Sequence, residues 1–186
     1  MHSWNKKVSQ YADILGAMSI SLKNGNKVEN DKGFSQLKEI LFKVRNQRKT
    51  VYAVGNGASA SMASHFSADL AKNGRLHTQV FSDLSLITAI SNDLSYDEVF
   101  AEPLRRRGTK GDLLVAISSS GNSKNILNAV KTSKEIGITI VTLSAMSENN
   151  KLRKMGDVNI YIPAKTYGDA ESCHAAILHY WIDILV

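Results

Sequence analysis

Short apolar runs, stopped by glycine, serine or proline and followed by helical patterns, constrain this fold more than any other feature. Residues 51–54 (Val-Tyr-Ala-Val) stop at Gly55, and residues 113–117 stop at Ser118-Ser119-Ser120-Gly121. Runs of four to eight such residues, bounded by turn residues, read as buried strands. The stretches 78–81, 138–143 and 158–162 read the same way. Between them, residues 59–72, 84–90, 96–105 and 123–135 read as helices, the last ending at Gly137, and 170–185 reads as a closing helix. Strands alternating with helices predict an α/β fold, a parallel sheet covered on both faces. In such sheets ligands bind beyond the carboxyl ends of the strands.

The N-terminal part reads differently. Ile14, Leu15, Met18, Ile20 and Leu22 can share a helical face, residues 23–33 read as a loop, and residues 34–44 carry helical spacing. We expect a single domain, with N-terminal helices over 1–48 and an α/β core over 49–186. A length of 186 residues fits one domain of roughly 100–200 residues. A net charge of +6 suits an anionic ligand but is too mild and scattered to argue for nucleic acid. The lone Cys173 rules out a disulfide framework and fits a reducing compartment. No basic-then-apolar leader and no apolar run near 18 residues is present, so a soluble cytoplasmic protein without membrane contact is expected.

Two corners repeat one design. Gly55-Asn56-Gly57-Ala58-Ser59 follows the first strand, and Ser118-Ser119-Ser120-Gly121-Asn122-Ser123 follows the third. Each joins glycine to small hydroxyl or amide side chains and opens a helix, whose first turn offers free N–H groups and the positive end of a dipole. That arrangement holds a phosphate without lysine. The missing lysine argues against a nucleotide loop of the Walker type, and the glycine spacing fails the dinucleotide fingerprint. One such loop could be a well-capped turn; two matched loops favour phosphate.

Acid–base chemistry has candidates as well. His65 and Asp69 stand at i and i+4 on one helix. Glu171 and His179, eight residues apart on the closing helix, are about 80° apart around it and can face one pocket. Simpler readings stand beside these: a surface His–Asp pair, and His174 and His179 packing near the core. Cys173 reads as a small buried hydrophobe, Arg105-Arg106-Arg107 and Lys110 as a solvated run, and His2 and His77 have no assigned role.

The second loop resembles the phosphate-binding signature of SIS (sugar isomerase) domains. Gly55-Asn56-Gly57-Ala58-Ser59 and Ser91-Asn92-Asp93 resemble the phosphoheptose isomerase branch. The resemblance runs along the whole chain. It implies a doubly wound five-stranded parallel sheet, a homotetramer and active sites built between subunits. It also implies conversion of sedoheptulose 7-phosphate to D-glycero-D-manno-heptose 7-phosphate for surface polysaccharide, lipopolysaccharide or capsule. The implied zinc ligands are His65, Asp69, Glu171 and His179, with Asp69 and His179 as the acid–base pair. The implied substrate contacts are Asn56, Gly57, Ala58, Ser59, Asp69, Asn92, Asp93, Ser118, Ser119, Ser120, Ser123 and Glu171. Two residues depart from the branch. Asp69 stands for glutamate and is one methylene shorter, a shift of about 1 Å that can cost ~10²-fold in rate. Glu171 stands for glutamine and adds a negative charge. The alternatives are an isomerase for another sugar phosphate, a phosphosugar-sensing module, or a non-catalytic SIS protein that binds a replication initiator.

Overall fold

A computed structural model describes residues 3–186. Over these residues the chain forms one seven-stranded sheet in the order β2-β1-β7-β6-β5-β3-β4. The five strands expected from the apolar runs are β3 (Thr50–Val54), β4 (His77–Val80), β5 (Leu113–Ser118), β6 (Thr139–Ser144) and β7 (Val158–Tyr161), and all of them pair in parallel.

The other two strands correct the reading of the N-terminal part. Helix α1 (Trp4–Gly16) ends before residue 19, and β1 (Ser19–Leu22) and β2 (Lys27–Val28) form an antiparallel hairpin. The apolar residues 14–22 therefore do not share one helix. Ile20 faces the core while Ser19, Ser21 and Leu22 are only partly buried, and β1 pairs antiparallel with β7 from Ser19↔Tyr161 to Leu22↔Val158. A four-residue strand is too short to announce itself by alternation. What fixes it is the open edge of β7, whose backbone groups need partners. The stretch 23–33 likewise holds a turn, β2 and the start of helix α2 (Asn30–Asn46) in place of a continuous loop.

The remaining helices are α3 (Ala58–Lys72), α4 (Leu84–Asp93), α5 (Ala101–Arg107), α6 (Lys124–Ile136) and α7 (Tyr167–Asp183). The helix expected over 96–105 divides into a 3₁₀ turn at Tyr96–Glu98 and α5. Pro103 lies in the first turn of α5, where its missing N–H costs no helical hydrogen bond.

Strand alternation separates two cores. Val51, Ala53, Leu113, Val115 and Ile117 pack on one face with residues of α1, α2, α3 and α7. Tyr52, Val54, Leu114 and Ala116 pack on the other with residues of α4, α5 and α6. All six residues of β5 are buried, which explains its unbroken apolar run. From β3 the chain first adds β4 on one side and then crosses back to place β5 on the other. The gap between the carboxyl ends of β3 and β5 is therefore the switch point where open α/β sheets bind ligands. Both loops singled out above begin there.

Candidate active site

The glycine loop turns directly from β3 into α3. Gly57 caps α3 with φ 55° and ψ −126°, a backbone conformation that only glycine adopts without strain. The serine loop is braced from within: the Gly121 N–H donates to the Ser118 carbonyl at 3.0 Å and to Ser118 Oγ at 3.1 Å, and the Asn122 N–H donates to Ser120 Oγ at 3.3 Å. Gly121 has φ 63°, and a Cβ there would overlap the amide of Asn150. That buried amide donates to the carbonyls of Ala145 and Ser147 and to Ser144 Oγ, and accepts from the Arg153 N–H, so it cannot yield. Gly121→Ala is expected to cost at least about 1–2 kcal/mol from the left-handed φ alone. It should also disorder the serine loop. Denaturant unfolding alongside phosphate titration checks both effects.

Between the loops lies a cleft of about 170 Å³, lined by Asn56, Ser59, Ile117, Ser118, Ser119, Ser120, Ser123, Tyr167 and Glu171. Ser119 Oγ is buried there and has no hydrogen-bond partner among the described residues. A buried hydroxyl left unpaired costs about 1–3 kcal/mol, so a ligand that pairs it recovers that cost. Ser123 occupies the N-cap of α6, but its side chain makes no capping bond; its Oγ lies 3.4 Å from Ser118 Oγ. The cleft thus offers hydroxyls and a helix N-terminus, which suits an oxyanion. Among the described residues, no lysine or arginine lines it and Glu171 is its one carboxylate.

The acid–base candidates stand on α3 and α7. Phe66 and Trp181 pack ring to ring at 5.4 Å inside this helix pair and fix its register. On its outer side, Asp69 Oδ2 lies 3.2 Å from His65 Nε2 and 4.0 Å from His179 Nδ1, and the two imidazole rings are 5.2 Å apart. Asp69 is three-quarters covered and both histidines are exposed. One ligand atom from each of the three residues falls within 4.8 Å of the others, a spacing that can hold a metal ion.

The structure therefore joins His65, Asp69 and His179 but leaves Glu171 with the serine cleft. Eight residues of α7 separate Glu171 from His179, about 12 Å along the helix axis. Asn92 and Asp93 are exposed at the end of α4, bonded to each other at 2.9 Å, and line neither feature. Ala58 is exposed in the first turn of α3, and Gly57 borders a second hollow beside Tyr96 and Phe81. Sequence reasoning missed Tyr167, Asn125 and Asn150. A polar residue of α6 two places beyond Ser123 could have been noticed, because Asn125 falls among the buried positions of that helix.

Three comparisons bear on this arrangement. A profile of the SIS domain matches residues 12–145. The phosphoheptose isomerase of Helicobacter pylori (strain Shi470) is 35% identical over 148 residues, 76% of each chain. That of Sulfurimonas denitrificans is 36% identical over 170 residues, 87% of this chain and 84% of the relative. The chain belongs to the phosphoheptose isomerase family. It is an isomerase built on an SIS domain. The structure of the family member GmhA from Neisseria gonorrhoeae superposes with a TM-score of 0.81 at 27% identity, covering 98% of both chains. Among the described residues, no helix is long and apolar enough to cross a membrane.

Proposed function

We propose that the enzyme interconverts sedoheptulose 7-phosphate and D-glycero-D-manno-heptose 7-phosphate through an enediol, supplying heptose for surface polysaccharide in the cytoplasm. The observation that carries this reading is the placement of Asp69 between two imidazoles, on helices that both border a hydroxyl-lined cleft. An aldose–ketose isomerisation needs a group to take a proton from one carbon and a group to deliver one to its neighbour or to the oxygen. Asp69 and His179 are that pair.

Ser118, Ser119, Ser120, Ser123 and Ser59 hold the phosphate with the first turns of α3 and α6. Asn56 joins them on the phosphate from the glycine loop, and Gly57, Ala58, Asn92, Asp93 and Glu171 bind the sugar. Because the cleft and the acid–base pair lie about two helical turns apart along one chain, we assign the complete site to a homotetramer in which subunits share residues. The exposed apolar hollow of about 240 Å³ beside His65 and His179, walled by Met62, Phe66, Leu178 and Ile182, supports such a contact.

Two imidazoles and a carboxylate form a donor set that suits zinc. His65, Asp69 and His179 would hold it; Glu171, the fourth ligand that the family resemblance implies, lines the serine cleft about 12 Å along α7 and is not placed to join them within one chain. Bound there, zinc would supply Lewis-acid polarisation of the carbonyl and hydroxyl oxygens. Removing a ligand should weaken zinc at least as much as removing an outer-shell partner does, about 10–100-fold. Metal analysis of dialysed wild type and His65→Ala checks this directly; equal zinc content in both would refute the assignment.

The reaction itself is tested by incubating the protein with sedoheptulose 7-phosphate, with and without added zinc, and assaying aldoheptose phosphate. Formation of the aldose supports the reading. An inert wild type that turns over a different ketose phosphate would move the substrate assignment to that sugar.

A further inference from the structure

We propose that Asn125 and Tyr96 are positioning residues that hold Asn56 with an amide N–H, and not an oxygen, available to the bound anion. The inference rests on the reading of the serine cleft as the phosphate site. Asn56 Nδ2 donates to Asn125 Oδ1 at 2.9 Å, and Asn125 Nδ2 donates back to Asn56 Oδ1 at 2.9 Å. The Tyr96 hydroxyl donates to the same Asn56 Oδ1 at 3.0 Å. Asn125 is buried, and its Oδ1 also accepts from the backbone N–H of Ile126 at 2.9 Å.

The orientation of this network follows from that backbone amide. An N–H can only donate, so the group of Asn125 that meets Ile126 is its oxygen. The Asn125 amide nitrogen then meets Asn56, which turns the Asn56 oxygen toward Asn125, and Tyr96 adds a second donor to that oxygen. Both lone pairs of Asn56 Oδ1 are thereby engaged, and one of its two amide hydrogens is spent on Asn125. A single N–H remains on a side chain that lines the cleft. An amide free to flip would have to be turned with its N–H toward the anion on each binding event, which would weaken binding. The same pair ties the glycine loop after β3 to the first turn of α6 after β5, so it also fixes the width of the gap between the loops.

The test is direct titration of the apo protein with inorganic phosphate, alongside steady-state kinetics. Asn125→Ala should weaken phosphate binding and raise KM about 10-fold, the scale of one hydrogen bond to a charged group, with kcat changed by less than about threefold. Because Asn125 acts through Asn56, the same substitution should have little further effect in an Asn56→Ala background. Tyr96→Phe removes one hydroxyl from a half-exposed ring and should weaken phosphate about threefold; it decides the matter if Asn125→Ala fails to fold. Unchanged phosphate affinity in the folded variants overturns the proposal, as does a full additional loss in the Asn56→Ala background. Ser119→Ala separates the two levels. If it weakens phosphate while Asn125→Ala and Tyr96→Phe do not, only the positioning role falls. If it has no effect, the cleft reading fails and takes this inference with it.

Discussion

Replacing Asp69 with asparagine is expected to lower the turnover of sedoheptulose 7-phosphate by about 10²–10⁴-fold, the usual contribution of a positioned acid or base. The substitution keeps the size and shape of the side chain and removes its negative charge and its ability to carry a proton. Asp69 belongs to neither apolar core, so the fold should survive. KM should change little, because the phosphate is gripped by the serine cleft and the first turns of α3 and α6, and Asp69 does not line that cleft. His179→Ala should lose a similar factor, and the double variant should be scarcely worse than either single one, as expected of groups that act as a unit. Steady-state kinetics with circular dichroism as the folding control reads all three. Full turnover by either single variant would remove that residue from the chemistry.

Acidification is expected to remove about 3 kcal/mol of stability between pH 7 and pH 4 through one side chain, His174. It is fully buried on α7, and neither ring nitrogen makes a well-formed hydrogen bond among the described residues, although the backbone of Ser144 comes near enough to oppose the burial in part. Burial pushes its pKa down from 6.5 to about 4. The unfolded chain therefore takes up a proton below pH 6.5 that the folded protein refuses until about pH 4. Stability from this source is complete above pH 6.5, falls as the pH drops through that window, and falls no further below it. Asp169 acts at lower pH. Its buried carboxylate is held below the ordinary range by the hydrogen bond from Lys7, so its contribution is lost only below the usual aspartate value near 3.8. Urea unfolding at pH 7 and pH 4 on wild type and His174→Leu checks the assignment. Leucine removes the titrating group and its buried ring nitrogens, so the variant should lose most of the pH dependence of this window and stay close to wild-type stability at pH 7. Identical pH slopes in the two proteins would mean that His174 is not the source.

How much of this was readable beforehand depended on length and period. The strands β3, β5 and β6 were visible because they are buried and read as apolar runs ended by glycine or serine; β4, at the sheet edge, is exposed or partly buried and carries a weaker signal. The β1–β2 hairpin was not visible, because its strands of four and two residues are decided by the free edge of β7 far along the chain. The site divides along a similar line. Ser118, Ser119, Ser120 and Ser123 sit together in sequence and in space. His65 and Asp69 are neighbours by helical spacing alone, and His179 joins them as α3 packs on α7 through Phe66 and Trp181. Glu171 shares a helix with His179, yet it lines the cleft and stays apart from the His–Asp–His group, since eight residues of rise outweigh a favourable angle around the axis. Asn125 was hidden for a different reason: its importance comes from hydrogen bonds between the first turn of α6 and the loop after β3, which no local pattern reports.

The most direct measurement is isomerisation in D₂O, followed by proton NMR of the sugar. Transfer through an enediol, with Asp69 and His179 exchanging their protons with solvent, predicts deuterium at C2 of the aldose phosphate formed by the wild type, and loss of that labelling in Asp69→Asn. Aldose formed without label, or labelled as fast by Asp69→Asn as by the wild type, would contradict the account.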